Sequence, residues 1–138
     1  MELIVNIDVD DVDAGVRFYT DALGLEVSRR LATNVVELRG AGCLIHLLGK
    51  PPNTEPFAGA ASPRDYGRHW TPVHLDLVVD DLDAYVHRAE AAGARCERMA
   101  EPPFGRIAIM ADPFGHGFCL IEFRGRGYDE LAPEPPRD

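Results

Sequence analysis

The sequence predicts an α+β fold built from two βαβββ modules, and three observations support this prediction. First, the segment 9–14 (Val-Asp-Asp-Val-Asp-Ala) recurs as 79–84 (Val-Asp-Asp-Leu-Asp-Ala), 70 residues further along the chain. Second, an alternating apolar run, typical of a half-buried strand, precedes each copy. Third, each copy is followed by a helical pattern and then by three strand-like segments. A duplicated unit predicts two equivalent halves packed against each other.

The first strand of each module has one apolar face and one mixed face. In residues 3–9 every odd position is apolar, and the other face carries Ile4, Asn6 and Asp8. In residues 73–79 the same alternation places His74 and Asp76 opposite the apolar side chains. We expect the apolar faces to pack against helices, whereas the mixed faces can line a cavity or meet water.

Helix ends are marked in the same way in both modules. Asp11 and Asp81 are predicted N-caps, because a carboxylate can accept hydrogen bonds from the free amides of a first turn. Gly24 and Gly93 suit helix ends that require a positive φ. The remaining strands are predicted at about residues 25–30, 34–39 and 43–48 in module one, and 95–99, 106–111 and 117–123 in module two.

These elements predict a single domain over residues 1–138. It divides into module one (3–48), a linker (49–71), module two (72–124) and a C-terminal tail (125–138). The linker is rich in proline, and a loop of this length in a compact domain often covers a site. The tail carries Pro133, Pro135 and Pro136 and is expected to fray.

Composition restricts the class of protein. The chain has 138 residues, of which 46% are hydrophobic, and this predicts a globular domain. A net charge of −9 disfavours nucleic acid and anionic membranes, and it either serves solubility or attracts a cationic small molecule. No apolar run is long enough to span a bilayer, and no signal-peptide pattern is seen. Cys43, Cys96 and Cys119 are odd in number, which predicts reduced thiols in a cytoplasmic protein.

Two motifs add a family resemblance. Residues 18–24 (Phe-Tyr-Thr-Asp-Ala-Leu-Gly) end the first helix, and residues 112–116 (Asp-Pro-Phe-Gly-His) precede the final strand. Together with the paired βαβββ units, they resemble the vicinal oxygen chelate superfamily of glyoxalases, bleomycin and fosfomycin resistance proteins and extradiol dioxygenases. The resemblance covers about residues 3–124. It implies curved mixed sheets around a cleft (the glyoxalase/bleomycin resistance/dioxygenase fold) and a homodimer.

The same resemblance implies four strand positions that hold a divalent ion in metal-dependent members. They correspond here to Ile4, His46, His74 and Cys119. Ile4 has no donor atom, so this set is incomplete, and only the two histidines are ordinary ligands for such an ion. Two histidines and a thiolate suit zinc better than iron, manganese or nickel.

An alternative register remains open for the last strand. If residues 119–122 are aligned with residues 43–46, then Glu122 replaces Cys119 on the cleft-facing side. The two registers place Glu122 on opposite faces, because they differ by an odd number of residues. The turn at 112–115 favours the register with Cys119.

Candidate ligand-binding residues follow from these placements. Polar or aromatic side chains on the mixed faces and beside the linker are expected to line one cleft; they are Asn6, His46, Trp70, His74, Asp76 and Cys119. The linker aromatics Phe57, Tyr66 and His69 are expected either to close the cleft or to hold the loop on the sheet. Arg64, Arg68 and Arg106 can meet an anionic group or face solvent.

Three functions fit this sequence. The favoured one is a small-molecule binder similar to the bleomycin resistance branch, without a complete metal site or other cofactor. The alternative is a lyase, isomerase or dioxygenase that depends on Zn, Ni, Mn or Fe. A third is a metal-free enzyme in which His46 or His74 is a general base. No catalytic residue is identified by the sequence.

Overall fold

A computed structural model describes residues 1–132 of the chain. Module one contains β1 (Ile4–Val9), α1 (Val12–Leu23), β2 (Glu26–Ala32), β3 (Val35–Arg39) and β4 (Leu44–Gly49). Module two contains β5 (Leu75–Val78), α2 (Leu82–Ala91), β6 (Arg95–Ala100), β7 (Gly105–Ala111) and β8 (Gly117–Phe123). A single 3-10 turn follows at Gly127–Glu130. None of the helices within residues 1–132 has the length and apolar character needed to cross a membrane.

Each module forms its own four-stranded sheet. Sheet A has the strand order β1-β4-β3-β2, and sheet B has the matching order β5-β8-β7-β6. The first and last strands of each module pair in parallel, whereas the other pairs are antiparallel. The predicted fold of two βαβββ modules is therefore confirmed.

The helix caps form at the residues that the sequence indicated. The Asp11 carboxylate accepts hydrogen bonds from the amides of Asp13 and Ala14, each at 3.0 Å. Asp81 accepts from the amide of Ala84 at 3.0 Å. Gly24 ends α1 in the left-handed region with a φ of 69°, a conformation that costs other L-residues free energy.

One hydrophobic core joins both modules. The helix-facing side chains of each sheet and the inner faces of both helices form a continuous buried cluster, which includes Val9, Leu38 and Leu47 from module one and Leu82, Met110 and Leu120 from module two. Burial of this apolar surface is the main favourable contribution to folding. It also leaves the opposite face of each sheet free for other uses.

A buried polar contact ties the two modules together. The hydroxyl of Tyr19 in α1 donates to Asp112 Oδ2 at 2.6 Å, in the turn before β8. The other carboxylate oxygen of Asp112 accepts from the amides of Phe114 and His116. The pKa of Tyr19 is raised well above its ordinary value, first by burial and then by the Asp112 charge. This hydroxyl therefore stays protonated and donating.

The structure differs from the predictions at the ends of two segments. Val73 is 81% exposed and precedes β5, because the chain is still in the linker at that point. The tail forms a 3-10 turn, in which Tyr128 packs on Phe104 with ring centroids 4.8 Å apart. The prolines at 133, 135 and 136, where the sequence predicts fraying, lie outside the described residues.

Tyr19→Phe is expected to destabilise the protein by about 1–3 kcal/mol, because it leaves the buried Asp112 carboxylate without one of its donors. Urea unfolding of the variant and the wild type measures this difference. Tyr85→Phe is the control, since the Tyr85 hydroxyl makes no hydrogen bond to any residue in 1–132. Equal stability of the two variants would contradict a role for this contact in joining the modules.

Candidate functional site

The functional groups lie on the open face of each sheet, defined as the face opposite its helix. On sheet A the strand register places Asn6, His46, Glu37 and Arg29 in one row. Because side chains alternate along a strand, members of such a row lie on the same face as neighbours. Glu37 is only 3% exposed although it is charged, so this row contains a buried carboxylate.

The Glu37 carboxylate is fully engaged by its neighbours on sheet A. Oε1 accepts from Arg29 Nε at 2.9 Å, and Oε2 lies 2.9 Å from His46 Nε2. The hydrogen bonds from Arg29 and then His46 lower the pKa of Glu37 to about 2. We call Arg29, Glu37 and His46 the sheet A cluster.

The corresponding row of sheet B has a different chemistry. There the register aligns Asp76, Cys119, Ile109 and Arg98, so Asp76 stands where module one has Asn6 and Cys119 stands where it has His46. His74 Nε2 lies 3.2 Å from Asp76 Oδ1, just before β5. The ligand atoms of His74, Asp76 and Cys119 all lie within 4.8 Å of one another. We call these three residues the sheet B cluster.

The Cys119 thiol is protonated at neutral pH. Its side chain is buried, and this burial together with the Asp76 charge raises its pKa to about 11. Reactive cysteines are instead found in electropositive surroundings that favour the thiolate. Cys119 is therefore not a nucleophile in this environment.

Trp70, the single tryptophan of the chain, lies beside the sheet B cluster. Its ring centroid is 4.8 Å from that of His74. The guanidinium carbon of Arg68 lies 5.5 Å from the centroid of the Trp70 ring. The indole packs on the backbone of Gly117, where any side chain would clash with it. Trp70 nevertheless remains 46% exposed and so offers an aromatic surface to a ligand.

Two clefts flank strand β5. The junction cleft lies between the free edge of β1 and the beginnings of β5 and β8, has a volume of about 220 Å³, and is lined by residues that include Asn6, His74 and His116. The edge cleft, of about 440 Å³, lies along Asp76–Val79 and faces the turn at 40–42. His74 and Asp76 thus stand at the border between the two clefts.

The structure does not bring all six predicted ligand-binding residues into one cleft. Asn6 and His74 line the junction cleft, Trp70 packs against His74 with tilted rings, and Asp76 and Cys119 lie next to His74. His46 neighbours Asn6 on sheet A but is bound to Glu37, and it is not among the residues that line either cleft. The role of His46 in ligand binding therefore stays a prediction, while the clefts described for residues 1–132 are lined by other residues.

Glu122 lies on the other side of sheet B. Its Oε2 accepts from the amide of Leu82 at 2.8 Å, at the first turn of α2. A carboxylate there satisfies a free amide and compensates the helix dipole. The alternative alignment therefore does not place Glu122 on the open face, and Cys119 occupies the row of His46.

The linker is fixed to both modules by polar contacts. Arg64 binds Asp8 of β1 at 2.7 Å, and Tyr66 donates to the carbonyl of Lys50 at 2.7 Å. His116 donates from Nε2 to the carbonyl of Asp8 at 2.6 Å, and its Nδ1 lies 3.0 Å from His69. The aromatic linker residues Tyr66 and His69 therefore hold the loop in place.

The three arginines that were expected to meet an anion or solvent, and the linker residue Phe57, lie in different environments from those predicted. Arg64, Arg68 and Arg106 each form a close ion pair with a carboxylate of the chain, so none is simply solvated or free for an anion. Phe57 is 69% exposed and does not close the cleft.

Glu37 was not among the predicted site residues. The sequence signal that could have indicated it is a single charged residue between the apolar Val36 and Leu38 of a predicted strand.

Comparison with solved structures identifies the class of fold. A fosfomycin resistance protein (FosX) from Listeria monocytogenes superimposes with a TM-score of 0.70 at 17% identity, covering 96% of this chain and 98% of that one. A lactoylglutathione lyase from Agrobacterium tumefaciens gives a TM-score of 0.62 at 23% identity, covering 88% and 92%. The chain therefore has the fold of the glyoxalase/bleomycin resistance/dioxygenase superfamily.

The sequence comparisons define the family more closely. The chain belongs to the glyoxalase-like domain family, whose model matches residues 4–121. It is 32% identical over 133 residues to the anthracycline biosynthesis protein DnrV of Streptomyces peucetius, covering 93% of this chain but only 43% of that protein. It is 29% identical over 126 residues to a probable lactoylglutathione lyase of Vibrio parahaemolyticus, covering 83% and 84%.

Because members of this superfamily often bind divalent metal ions, we compared the side chains that could bind a metal in this chain with the four positions implied by the resemblance. The four positions carried over from the resemblance do not form one set within residues 1–132, because Ile4 has no donor and His46 is bound to Glu37. The group of donors that does assemble is the sheet B cluster, in which Asp76 joins His74 and Cys119. Its nitrogen, oxygen and sulfur donors fit a borderline divalent ion.

Glu37→Gln is expected to lower the free energy of unfolding at pH 7, and this deficit is expected to shrink in acid. The pKa of Glu37 is lowered from 4.5 to about 2, so its ionised form stabilises the fold above about pH 4.5. That stabilisation is lost as the pH falls from about 4.5 to about 2. Unfolding curves of both proteins across this range measure the effect.

Glu26→Gln is the control for this experiment. It removes an ion pair of the same length, 2.9 Å, between side chains that are more than half exposed. Exposed pairs contribute little to stability, so this variant should follow the wild type at every pH. If the difference in free energy of unfolding between Glu37→Gln and the wild type were constant from pH 7 to pH 2, the charge of Glu37 would not stabilise the fold.

Proposed function

We propose that this glyoxalase-like protein binds a small organic molecule in the junction cleft. The observation that carries the proposal is the composition of that cleft, where Asn6, His74 and His116 accompany apolar side chains from both modules. Concave sites with a few converging polar groups in a largely apolar wall are typical of ligand pockets. The linker contacts hold the cleft in shape before a ligand arrives, which reduces the entropy cost of binding.

The size of the cleft restricts how the ligand sits. Pockets that enclose a drug-sized molecule have volumes of about 300–1,000 Å³, whereas the junction cleft has about 220 Å³. The cleft therefore takes one part of a larger ligand, such as one or two fused rings. Trp70 and the edge cleft are positioned to contact the remainder.

A planar aromatic ligand with a positive charge fits these features best. The exposed indole of Trp70 beside the His74 ring provides a flat surface for stacking. The net charge of −9 favours the approach of a cation over that of an anion. The similarity to a protein of anthracycline biosynthesis agrees with this ligand class, although the chain spans less than half of that relative.

A metal-dependent lyase is the second candidate function. It is favoured by the sheet B cluster, which brings three donor atoms within 4.8 Å of one another next to the junction cleft. The similarity to a probable lactoylglutathione lyase supports it as well. A metal bound there would act as a Lewis acid on oxygens of the substrate.

We also propose that the chain forms a homodimer and works in a reducing compartment such as the cytoplasm. Apolar side chains on the open faces and edges of the sheets are 37–58% exposed; they are Ile4, Val27, Leu31, Val78, Met99 and Phe123. Exposed apolar patches of this kind often mark interfaces. All three cysteines are free thiols, which suits a reducing environment.

Trp70→Leu and His74→Ala are each expected to weaken binding of an anthracycline by roughly tenfold, since an aromatic pair is worth about 0.5–1.5 kcal/mol beyond its buried area. Calorimetric titration in the presence of a metal chelator measures the affinity without any contribution from a bound ion. S-lactoylglutathione, the compound for which the lyase of the second candidate function is named, is titrated in parallel with Zn²⁺ in place of the chelator, because that function depends on a metal.

The matched control is Phe57→Leu, which removes an exposed linker ring outside both clefts and should bind as the wild type does. Loss of affinity in Phe57→Leu equal to that in Trp70→Leu would contradict the junction cleft as the site. Binding of S-lactoylglutathione but not of the anthracycline would overturn the proposed ligand class in favour of the second candidate.

A further inference from the structure

The sheet B cluster combines three kinds of donor at one point of the open face. His74 precedes β5, Asp76 lies within it, and Cys119 is the register partner of Asp76 on β8. We propose that these three side chains bind one Zn²⁺ ion per chain, at the border between the junction cleft and the edge cleft. The inference rests on the metal site of the second candidate function and does not depend on the organic ligand of the first.

The donor spacing is close to that of a zinc site. In tetrahedral zinc sites, metal–ligand distances of about 2.0–2.3 Å place neighbouring ligand atoms roughly 3.3–3.8 Å apart. The three donors here lie within 4.8 Å of one another, and the His74–Asp76 pair is already at 3.2 Å. The side chains of His74 and Asp76 are 36% and 39% exposed, so both can rotate toward a common ion.

The donor chemistry selects the ion. A thiolate is soft, an imidazole is intermediate and a carboxylate is hard, and Zn²⁺ accepts all three. Mg²⁺ and Mn²⁺ prefer oxygen ligands, so the sulfur of Cys119 disfavours them. Three protein ligands leave the fourth position of a tetrahedral ion for water or for a ligand, which is the arrangement of reactive rather than purely structural zinc sites.

Charge favours a dication at this point. Asp76 lies 3.2 Å from the His74 ring, and no arginine or lysine within residues 1–132 forms an ion pair with it. By contrast, Asp83, Glu37 and Glu97 are each bound by arginine. On binding, the Cys119 thiol releases its proton to solvent, and the resulting thiolate and the Asp76 carboxylate together balance the charge of the ion.

This set of ligands differs from the one that the superfamily resemblance implies. That set corresponds to Ile4, His46, His74 and Cys119, and it spans both modules. In the structure, Asp76 takes part instead, at the position equivalent to Asn6 in module one. The zinc site is therefore made by module two alone, and His46 is not part of it.

The test uses the full chain after chelator treatment and dialysis, with no organic ligand present. Zn²⁺ is titrated while the fluorescence of Trp70 is followed, because this indole packs against His74 and is the single tryptophan of the chain. We expect the Trp70 fluorescence to change until one Zn²⁺ ion has been added per chain. The Zn²⁺ concentration at half-saturation should not depend on dimer formation. Co²⁺ should give a thiolate-to-cobalt charge-transfer band that is absent in Cys119→Ser.

Variants separate this site from the one implied by the superfamily. Asp76→Asn should lower the Zn²⁺ affinity by roughly 100-fold or more, because even outer-shell partners of metal ligands are worth about 10- to 100-fold. His46→Ala and Cys96→Ser should bind Zn²⁺ as the wild type does. Because His74 and Asp76 are partly exposed, their variants are expected to fold even if Cys119→Ser does not.

Two results would overturn the proposal. One is a wild-type protein that shows neither stoichiometric Zn²⁺ nor a fluorescence change. The other is an affinity that falls in His46→Ala but is retained in Asp76→Asn, since that pattern belongs to the superfamily set. Neither result affects the test of anthracycline binding, which is carried out in chelator.

Discussion

The parallel pairing of the first and last strands of each module is the constraint on which the rest of the structure depends. It aligns Asn6 with His46 in sheet A and Asp76 with Cys119 in sheet B. Because side chains alternate along a strand, a shift of one residue would move each of these groups to the helix-facing side. The register therefore decides both which residues form the core and which ones can reach a ligand.

The two modules use the same register for different chemistry. In sheet A, Glu37 is buried and both of its carboxylate oxygens are hydrogen-bonded, one to Arg29 and the other to His46. These three side chains therefore bind one another. In sheet B the position of Glu37 is taken by the apolar Ile109, and the donors beside it remain available. The two modules thus share one scaffold, and the different residues at equivalent positions form a structural ion network in one module and a candidate binding site in the other.

Local signals were enough to predict most of the fold. An N-cap such as Asp11 bonds to amides two and three residues away, and a positive φ at Gly24 depends on its own backbone, so both are visible in a short window. Strand alternation likewise identified the faces of β1 and β5. The end of the linker was harder to place, because Val73 continues the alternation of β5 although the chain has not yet joined the sheet.

The sequence by itself determined the repeat, the order of elements, the caps and the family, since each depends on residues close together in the chain or on motifs. Only the tertiary structure decided which polar groups meet. Tyr19 and Asp112 are 93 residues apart, and Cys119 reaches Asp76 only through the pairing of two distant strands. Composition and periodicity carry no information about such distances, so the assembly of His74, Asp76 and Cys119 at one point emerged only from the packed sheets.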